Sequence, residues 1–467
     1  MHKEELLYRS ILWGASTSAY QVEGGYNQDG KGLSVQDVKT VPEGTSDYKV
    51  AADHYNRFAE DVALFQELGM TSYRFSISWT RIFPTGKAPH NPAGVAFYHR
   101  LIDALLEAGI EPVVTVFHFD LPNEISRAGG WSNRETIHDF ANYCKFLFAE
   151  FGSKVNYWHT INEQNMLTLV GPLLYGAAKT LKEIYQENHH MLVAQAKVMK
   201  LFHDMHCPGV IGPAPNIAMV YPKSEKPEDQ RAAQFAAAFR NWLYLDAAVY
   251  GTYNHQVLRI LKELNAMPEI TDEDTQIMLE GRCDFIALNY YNTMTAQACD
   301  HAGAAGANDQ QKGLAIPGYF KAVGNDSLKQ TEFGWEIDPI GFANTLHEVY
   351  SRYHLPIMIT ENGLGAYDTL TEQGRVHDQY RIQYLQEHIA MLLQAMDEGV
   401  PIVGYYPWSA IDLISTHEGI KKRYGFIYVN RDDFDLKDLK RYRKDSFYWY
   451  QEFIQTGNLH NEAYRKI

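Results

Sequence analysis

Cysteine is scarce. Only four occur in 467 residues (Cys144, Cys207, Cys283, Cys299), with no CxxC pair and no metal-ligand spacing. That argues against a disulfide framework, and free thiols in a reducing compartment are the simplest reading. No stretch reaches the ~18 consecutive apolar residues of a membrane span. The opening run MHKEELLYRSILWGAS mixes acids, bases and apolar residues, where a secretory leader needs an unbroken apolar core. A cytoplasmic protein with no membrane partner is expected. Positive charge is also short, 42 Lys and Arg against 57 Asp and Glu for a net charge of −15. That balance argues against nucleic acid or anionic surfaces as partners, so an anionic ligand would need a local basic pocket. No repeat of 20 to 50 residues is present. The one biased tract, 299–313, is rich in Ala, Gly, Asp, Asn and Gln and reads as a surface loop.

What is there is a globular composition, 45% apolar and 21% charged, enough for a sizeable core. Eight short runs of apolar, β-branched and aromatic residues recur along it, at 11–15, 71–78, 112–117, 157–161, 210–216, 284–289, 356–360 and 402–408. Their near-continuous apolarity suits strands buried on both faces of a parallel sheet. Helix-period stretches separate them. In the first, Tyr55, Phe58, Val62, Phe65 and Leu68 are spaced by threes and fours, and Gly69 is a stop. Others cover 93–108, 135–151, 181–206, 228–250, 340–353 and 378–398. The fold class is α/β: eight strands alternating with helices close most economically into a single (β/α)8 TIM barrel, one domain over residues 1–467. A bare barrel needs ~250 residues, so the surplus belongs to long rim loops, where barrel active sites lie.

Two of these runs end in an acid, Thr160-Ile161-Asn162-Glu163 and Ile359-Thr360-Glu361-Asn362-Gly363. Either acid alone could be a helix cap or loop ligand. Other strand ends bring Gln21, Arg74, His118, Asn289, Tyr291 and Trp408 to the same rim. Singly, Arg74 could be a structural ion-pair partner, His118 a satisfied core histidine and Trp408 simple packing. Together, two carboxylates among hydroxyl-reading Gln, Asn and His with an aromatic platform suit a pocket for one sugar ring. A metal enzyme lacks a ligand set. His189 and His190 are adjacent in a helical pattern and point to different faces.

With these motifs the chain resembles glycoside hydrolase family 1, the retaining β-glycosidases. The likeness runs through Leu12-Trp13-Gly14-Ala15-Ser16, Gln21-Val22-Glu23-Gly24, Tyr73-Arg74-Phe75-Ser76, Asn162-Glu163, Asn289-Tyr290-Tyr291, Thr360-Glu361-Asn362-Gly363 and Arg423-Tyr424-Gly425, nearly the whole chain. The resemblance implies that Glu163 is the general acid/base and Glu361 the nucleophile. It implies that Gln21, His118, Asn162 and Trp408 line the glycone subsite, and that Arg74 and Tyr291 hold Glu361 ionised and oriented. No cofactor is implied. In a retaining enzyme the two carboxyls stand about 5 to 5.5 Å apart.

The choice of sugar turns on the segment after the eighth strand. Ordinary β-glucosidases of the family carry there a Glu that grips the 4- and 6-hydroxyls; this chain has Ser415. A carboxylate would repel a phosphate on O6, and a hydroxyl can donate to it. Lys421-Lys422-Arg423-Tyr424 follows. The pattern looks like the 6-phospho-β-glycosidase branch, whose Ser, Lys and Tyr phosphate ligands map onto Ser415, Lys422 and Tyr424, with Lys421 one register away. A solvated basic turn is the plainer reading of the charge run. Phospho-galactosidases tend to have Trp after that Ser; Thr416 stands here and favours the gluco epimer. Trp335 is the expected aglycone platform. The expected partner is a small phosphorylated β-glucoside, released as glucose 6-phosphate; no feature specifies an oligomeric state. An unphosphorylated β-glucosidase, a 6-phospho-β-galactosidase and a non-catalytic sugar-phosphate-binding protein are the alternatives.

Overall fold

The computed structural model describes residues 3–7, 10–170, 179–300 and 314–466. The tract expected as a loop over 299–313 lies, from residue 301 on, outside them. Eight parallel strands form one sheet: β1 Leu12–Ser16, β2 Ser72–Ser76, β3 Glu111–Phe117, β4 Tyr157–Asn162, β5 Val210–Ala214, β6 Ile286–Tyr290, β7 Ile357–Asn362 and β8 Ile402–Pro407. Each coincides with an expected run to within two residues at either end. Their order is β5-β4-β3-β2-β1-β8-β7-β6. The seam between β5 and β6 is bridged by backbone bonds from Asp284 N to Ile211 O (2.9 Å) and Asn289 N to Pro215 O (3.0 Å), closing a barrel. Gly212 permits that approach, since a Cβ there would sit 2.5 Å from Phe285 O.

Alternation sorts the side chains into two cores. Leu12, Val113, Tyr157, Val210, Ala287, Met358 and Tyr406, one from nearly every strand, pack with Leu6 and Leu7 in the barrel's interior. Leu6 and Leu7 belong to the N-terminal helix Lys3–Leu7, and Tyr157 Oη donates to Leu6 O at 2.7 Å. The residues between them, such as Tyr73, Phe75, Trp158, Ile211, Leu288 and Ile359, face the surrounding helices. Burial on both faces explains why these strands read as continuous apolar runs.

The helices Pro92–Glu107, Glu135–Phe151, Leu181–Asp204, Pro339–Tyr353 and Gln379–Asp397 fall where periodicity puts them. The helix expected over 228–250 is not continuous: five residues of π-helix, Ala238–Trp242, interrupt it between Pro227–Ala237 and Leu243–Tyr250. The surplus chain stands at the C-terminal rim as a small sheet of Val220–Pro222, Met294–Gln297, Phe320–Val323 and Ala315–Ile316, and a hairpin pair Ile427–Val429 with Arg441–Arg443. Among the described residues no helix is long and apolar enough to cross a membrane.

Candidate active site

Both strands that end in an acid are irregular just before it. On β7, strict alternation from the inward Met358 and outward Ile359 would turn Glu361 away from the interior. The pairing with β6 slips between Ile359 and Glu361, two residues on β7 passing one on β6, and this bulge re-aims the carboxyl inward. On β4 the pairing with β5 shifts between His159 and Asn162. Glu163 then takes a left-handed backbone, φ 45° and ψ 47°, uncommon for a residue with a Cβ. Its N–H donates to Ala214 O at 2.8 Å. The two acids consequently line one cavity with Gln21, His118, Asn162, Asn216, Tyr291, Trp335, Trp408, Thr416 and Tyr424.

Glu361 is gripped by charge. Arg74 Nη1 donates to its Oε1 at 2.5 Å and Tyr291 Oη to its Oε2 at 2.6 Å. Arg74 is wholly buried and is itself fixed by Thr115 Oγ1 (2.9 Å) and Asn162 Oδ1 (2.7 Å). Glu163 is gripped by neutral amides: Asn216 Nδ2 and Asn289 Nδ2 donate to Oε1 at 2.8 and 3.0 Å. Burial pushes Glu361 up to about 7 against Arg74, with the charge of Glu163 adding to the rise. Burial also raises Glu163, opposed by Asn289, Asn216 and then Arg240 and Arg74. Between the two, the first negative charge goes to Glu361, because an ion pair and a phenol favour a carboxylate more than two amide donors do.

The polar groups beside the two acids are equally constrained. Asn162 Oδ1 accepts from Arg74 and from Asn289 Nδ2 (3.1 Å), so its Nδ2 must face His118 Nε2 at 3.1 Å. Burial and then Arg74 hold the His118 imidazole well below 6.5, hence neutral, with its proton on Nδ1. That nitrogen has no partner among the described residues. His118 stacks on Trp408 at 5.7 Å and 20°. Gln21 is held by Ser18 Oγ (2.7 Å) and donates to Ile414 O (2.8 Å).

The far wall is one stretch, 408–425. Asp412 within it is fully buried between Arg423 Nη1 (2.8 Å) and Lys444 Nζ (2.6 Å) and accepts from Gly425 N (3.0 Å). Arg381 ties in Leu364 O and Tyr424 O at 2.7 and 3.1 Å. Of the three residues expected at a phosphate, only Tyr424 lines the cavity. Ser415 and Lys422 stand behind it, 6% and 4% exposed. Burial raises the Tyr424 phenol and the Ser415 hydroxyl beside it opposes the rise. Lys422 Nζ lies 3.8 Å from the Trp335 ring centre and 4.5 Å from that of Phe333, while Lys421 turns out to Glu418 at 3.4 Å. His417 is held near 4 by burial and then by Lys39 and Lys422, so two lysines converge on this wall. Trp335 meets Tyr291 edge-on at 5.3 Å and is thus both lining and packing.

Asn216 and Arg240 escaped the sequence reading. Asn216 closes the expected run 210–216, so a polar strand end was its signal. Arg240 had none, being one charge among several in the expected helix 228–250, with Glu228, Asp229, Arg231 and Asp246.

An acid pair across one polar, aromatic-walled cavity, at the C-terminal rim of an eightfold barrel, defines a glycoside hydrolase. The comparisons agree. The family described as "Glycosyl hydrolase family 1" matches residues 3–459. The chain is 43% identical to the aryl-phospho-beta-D-glucosidase BglC of Bacillus subtilis (strain 168), over 96% of this chain and 97% of that one. It is 42% identical to a 6-phospho-beta-glucosidase of Dickeya chrysanthemi, with the same coverage. A solved family 1 b-glucosidase from Thermotoga maritima superposes with TM-score 0.87 at 38% identity, covering 97% of this chain and 98% of that one. The chain belongs to glycosyl hydrolase family 1.

Proposed function

We propose that this enzyme hydrolyses 6-phospho-β-D-glucosides with retention and releases glucose 6-phosphate. In the first displacement the Glu361 carboxylate attacks the anomeric carbon while Glu163 gives its proton to the leaving oxygen. In the second, Glu163 as base takes a proton from water, which attacks the glycosyl–Glu361 ester. Arg74 and Tyr291 hold the nucleophile in its attacking form. Gln21, His118, Asn162 and Trp408 receive the glycone, and Trp335 the aglycone.

The observation that carries the phosphate assignment is the sign of the far wall. Among the described residues that line the cavity, the only carboxylates are Glu163 and Glu361. Thr416 and Tyr424 offer hydroxyls to the cavity, with Ser415 behind them and Lys422 and Lys39 near enough to depress His417. A dianion meets donors and positive potential there. Two relatives above 40% identity carry phospho-glucosidase names, which supports the same reading. The likeness to a solved family 1 b-glucosidase favours the alternative, the plain glucoside. Paired chromogenic β-glucosides with and without the 6-phosphate decide: equal or better turnover of the plain glucoside rejects the assignment. Galacto counterparts in the same panel test the preference that Thr416 supports.

A further inference from the structure

Arg240 is a buried cation, 4% exposed, and no carboxylate of a described residue is within ion-pair distance of it. Its π-helical turn is tied to the acid strand by Asn165, whose Nδ2 donates to both Arg240 O (3.0 Å) and Asn216 O (2.6 Å). Asn165 Oδ1 takes the Asn216 N–H at 3.0 Å. Arg240 Nη2 donates to Asn216 Oδ1 at 2.7 Å. We propose that Arg240 is a positioning residue for the acid/base: by holding the Asn216 carboxamide in one orientation, it fixes which oxygen of Glu163 carries the transferable proton. This rests on the reading of Glu163 as the acid/base.

A guanidinium can only donate, so it must face the amide oxygen of Asn216. The amide nitrogen is then left for Glu163 Oε1, at 2.8 Å. Asn289 Nδ2 donates to the same oxygen at 3.0 Å. An oxygen accepting two N–H bonds has no place for a proton, so in the acid form the proton sits on Oε2. Were Asn216 free to turn over, its oxygen would face Oε1 and draw the proton there, away from the leaving group. Once the proton has been given up, Arg240 also faces a new negative charge across one amide. Burial lowers Arg240 to about 10, and Glu163 is the first group that resists the fall. The other groups that bear on Glu163 are Arg74 from β2, Glu361 from β7, Tyr291 after β6 and Tyr424 from the far wall; Tyr244 bears on Arg240. None of them touches Asn216 Oδ1.

The test compares phenyl and 2,4-dinitrophenyl 6-phospho-β-D-glucosides, or the plain glucosides if those prove the better substrates. The first needs a proton on its leaving oxygen and the second does not. Arg240→Met should lower kcat/KM for the phenyl substrate about tenfold or more while leaving the dinitrophenyl one within about threefold, and should move the alkaline limb to higher pH. Arg240→Lys, which can also only donate, should return the limb toward its original place. An equal fall on both substrates with an unmoved limb overturns the proposal. If Arg240→Met does not fold, Asn216→Asp serves: it gives Arg240 an anion of its own and removes one donor from Glu163, so an unmoved alkaline limb rejects the idea. Glu163→Ala separates the two claims. If it spares the phenyl substrate, the acid/base reading itself fails; if it abolishes that activity and azide restores turnover of the dinitrophenyl one, only the role of Arg240 is in question.

Discussion

The floor and the far wall of the cavity are built on different plans. On the floor, the polar groups answer one another across strands: Arg74 of β2 reaches Thr115 of β3, Asn162 of β4 and Glu361 of β7, and Asn289 of β6 reaches Asn162 and Glu163. No one of them can change without disturbing a ring of neighbours. The wall is one stretch of chain, 408–425, shaped by charges that never touch the cavity: Asp412, Arg423 and Lys444. Its lining residues can be exchanged while the frame behind them stays. On the proposed function the floor carries the chemistry and the wall the choice of substrate, and substitutions should separate the two.

The largest effect belongs to the floor. Glu361→Gln should lower kcat at least about 10³-fold with KM little changed, measured on an aryl 6-phospho-β-glucoside. The same change should stabilise the protein. Burial pushes Glu361 up to about 7 from an ordinary 4.5, so the folded state holds its proton more tightly. The stability this gives is complete below about 4.5 and lost as pH rises through 7, a cost of about 3 kcal/mol at pH 8. A neutral Gln escapes it. Denaturant midpoints of the two proteins should coincide at pH 4 and diverge in favour of the variant at pH 8; a constant gap would show that burial does not oppose the charge.

Next comes the frame of the wall. Asp412→Ala leaves Arg423 and Lys444 short of a partner in a site without water access, a loss of about 3 kcal/mol readable by urea unfolding. Selectivity for the phosphorylated substrate should fall with it, through loosening of 408–425. A variant as stable as the parent would show that the buried net is neutral to stability.

Smaller again is a change just behind the wall's lining. Ser415→Glu should cut kcat/KM for the 6-phospho substrate about 10²-fold by setting a carboxylate against a dianion, and should improve the plain glucoside. An unchanged ratio between the two would remove the phosphate from this wall.

The same division explains what could be read from sequence. All eight strands were legible because burial on both faces leaves a continuous apolar run, and the two acids because each ends such a run. The bulges that aim them were not, since Ile359, Thr360 and Glu361 carry no turn residue and the slip is set by pairing with β6. The helix over 228–250 kept its period, and the extra turn at Ala238–Trp242 is invisible in it. Arg240 carried no signal, standing in a stretch with four other charges. On the wall, Ser415, Lys422 and Tyr424 were legible as residue types, but the set-back of Ser415 and Lys422 behind the lining depends on Asp412 and Lys444, far apart in sequence.

The smallest effects come from two adjacent lysines. Residues 421 and 422 share charge and near-identical composition of surroundings in sequence, yet their side chains part: Lys421 is 43% exposed beside Glu418, and Lys422 is 4% exposed over Trp335. The stem of Lys422 crosses Gly365 so closely that a Cβ there would lie 2.5 Å from it, which leaves this lysine one route, toward the cavity. Lys422→Ala should therefore cost about tenfold in kcat/KM on the phosphorylated substrate, and nearly nothing on the plain one, since a buried cation is screened little. Lys421→Ala should change either substrate less than about twofold, as surface pairs contribute little. Added salt should weaken neither variant's preference by much more than the parent's, because the remaining field acts at short range. Equal losses from the two lysines would mean that the field of the wall, rather than one aimed ammonium, recognises the phosphate, and Lys39 would become the next residue to remove.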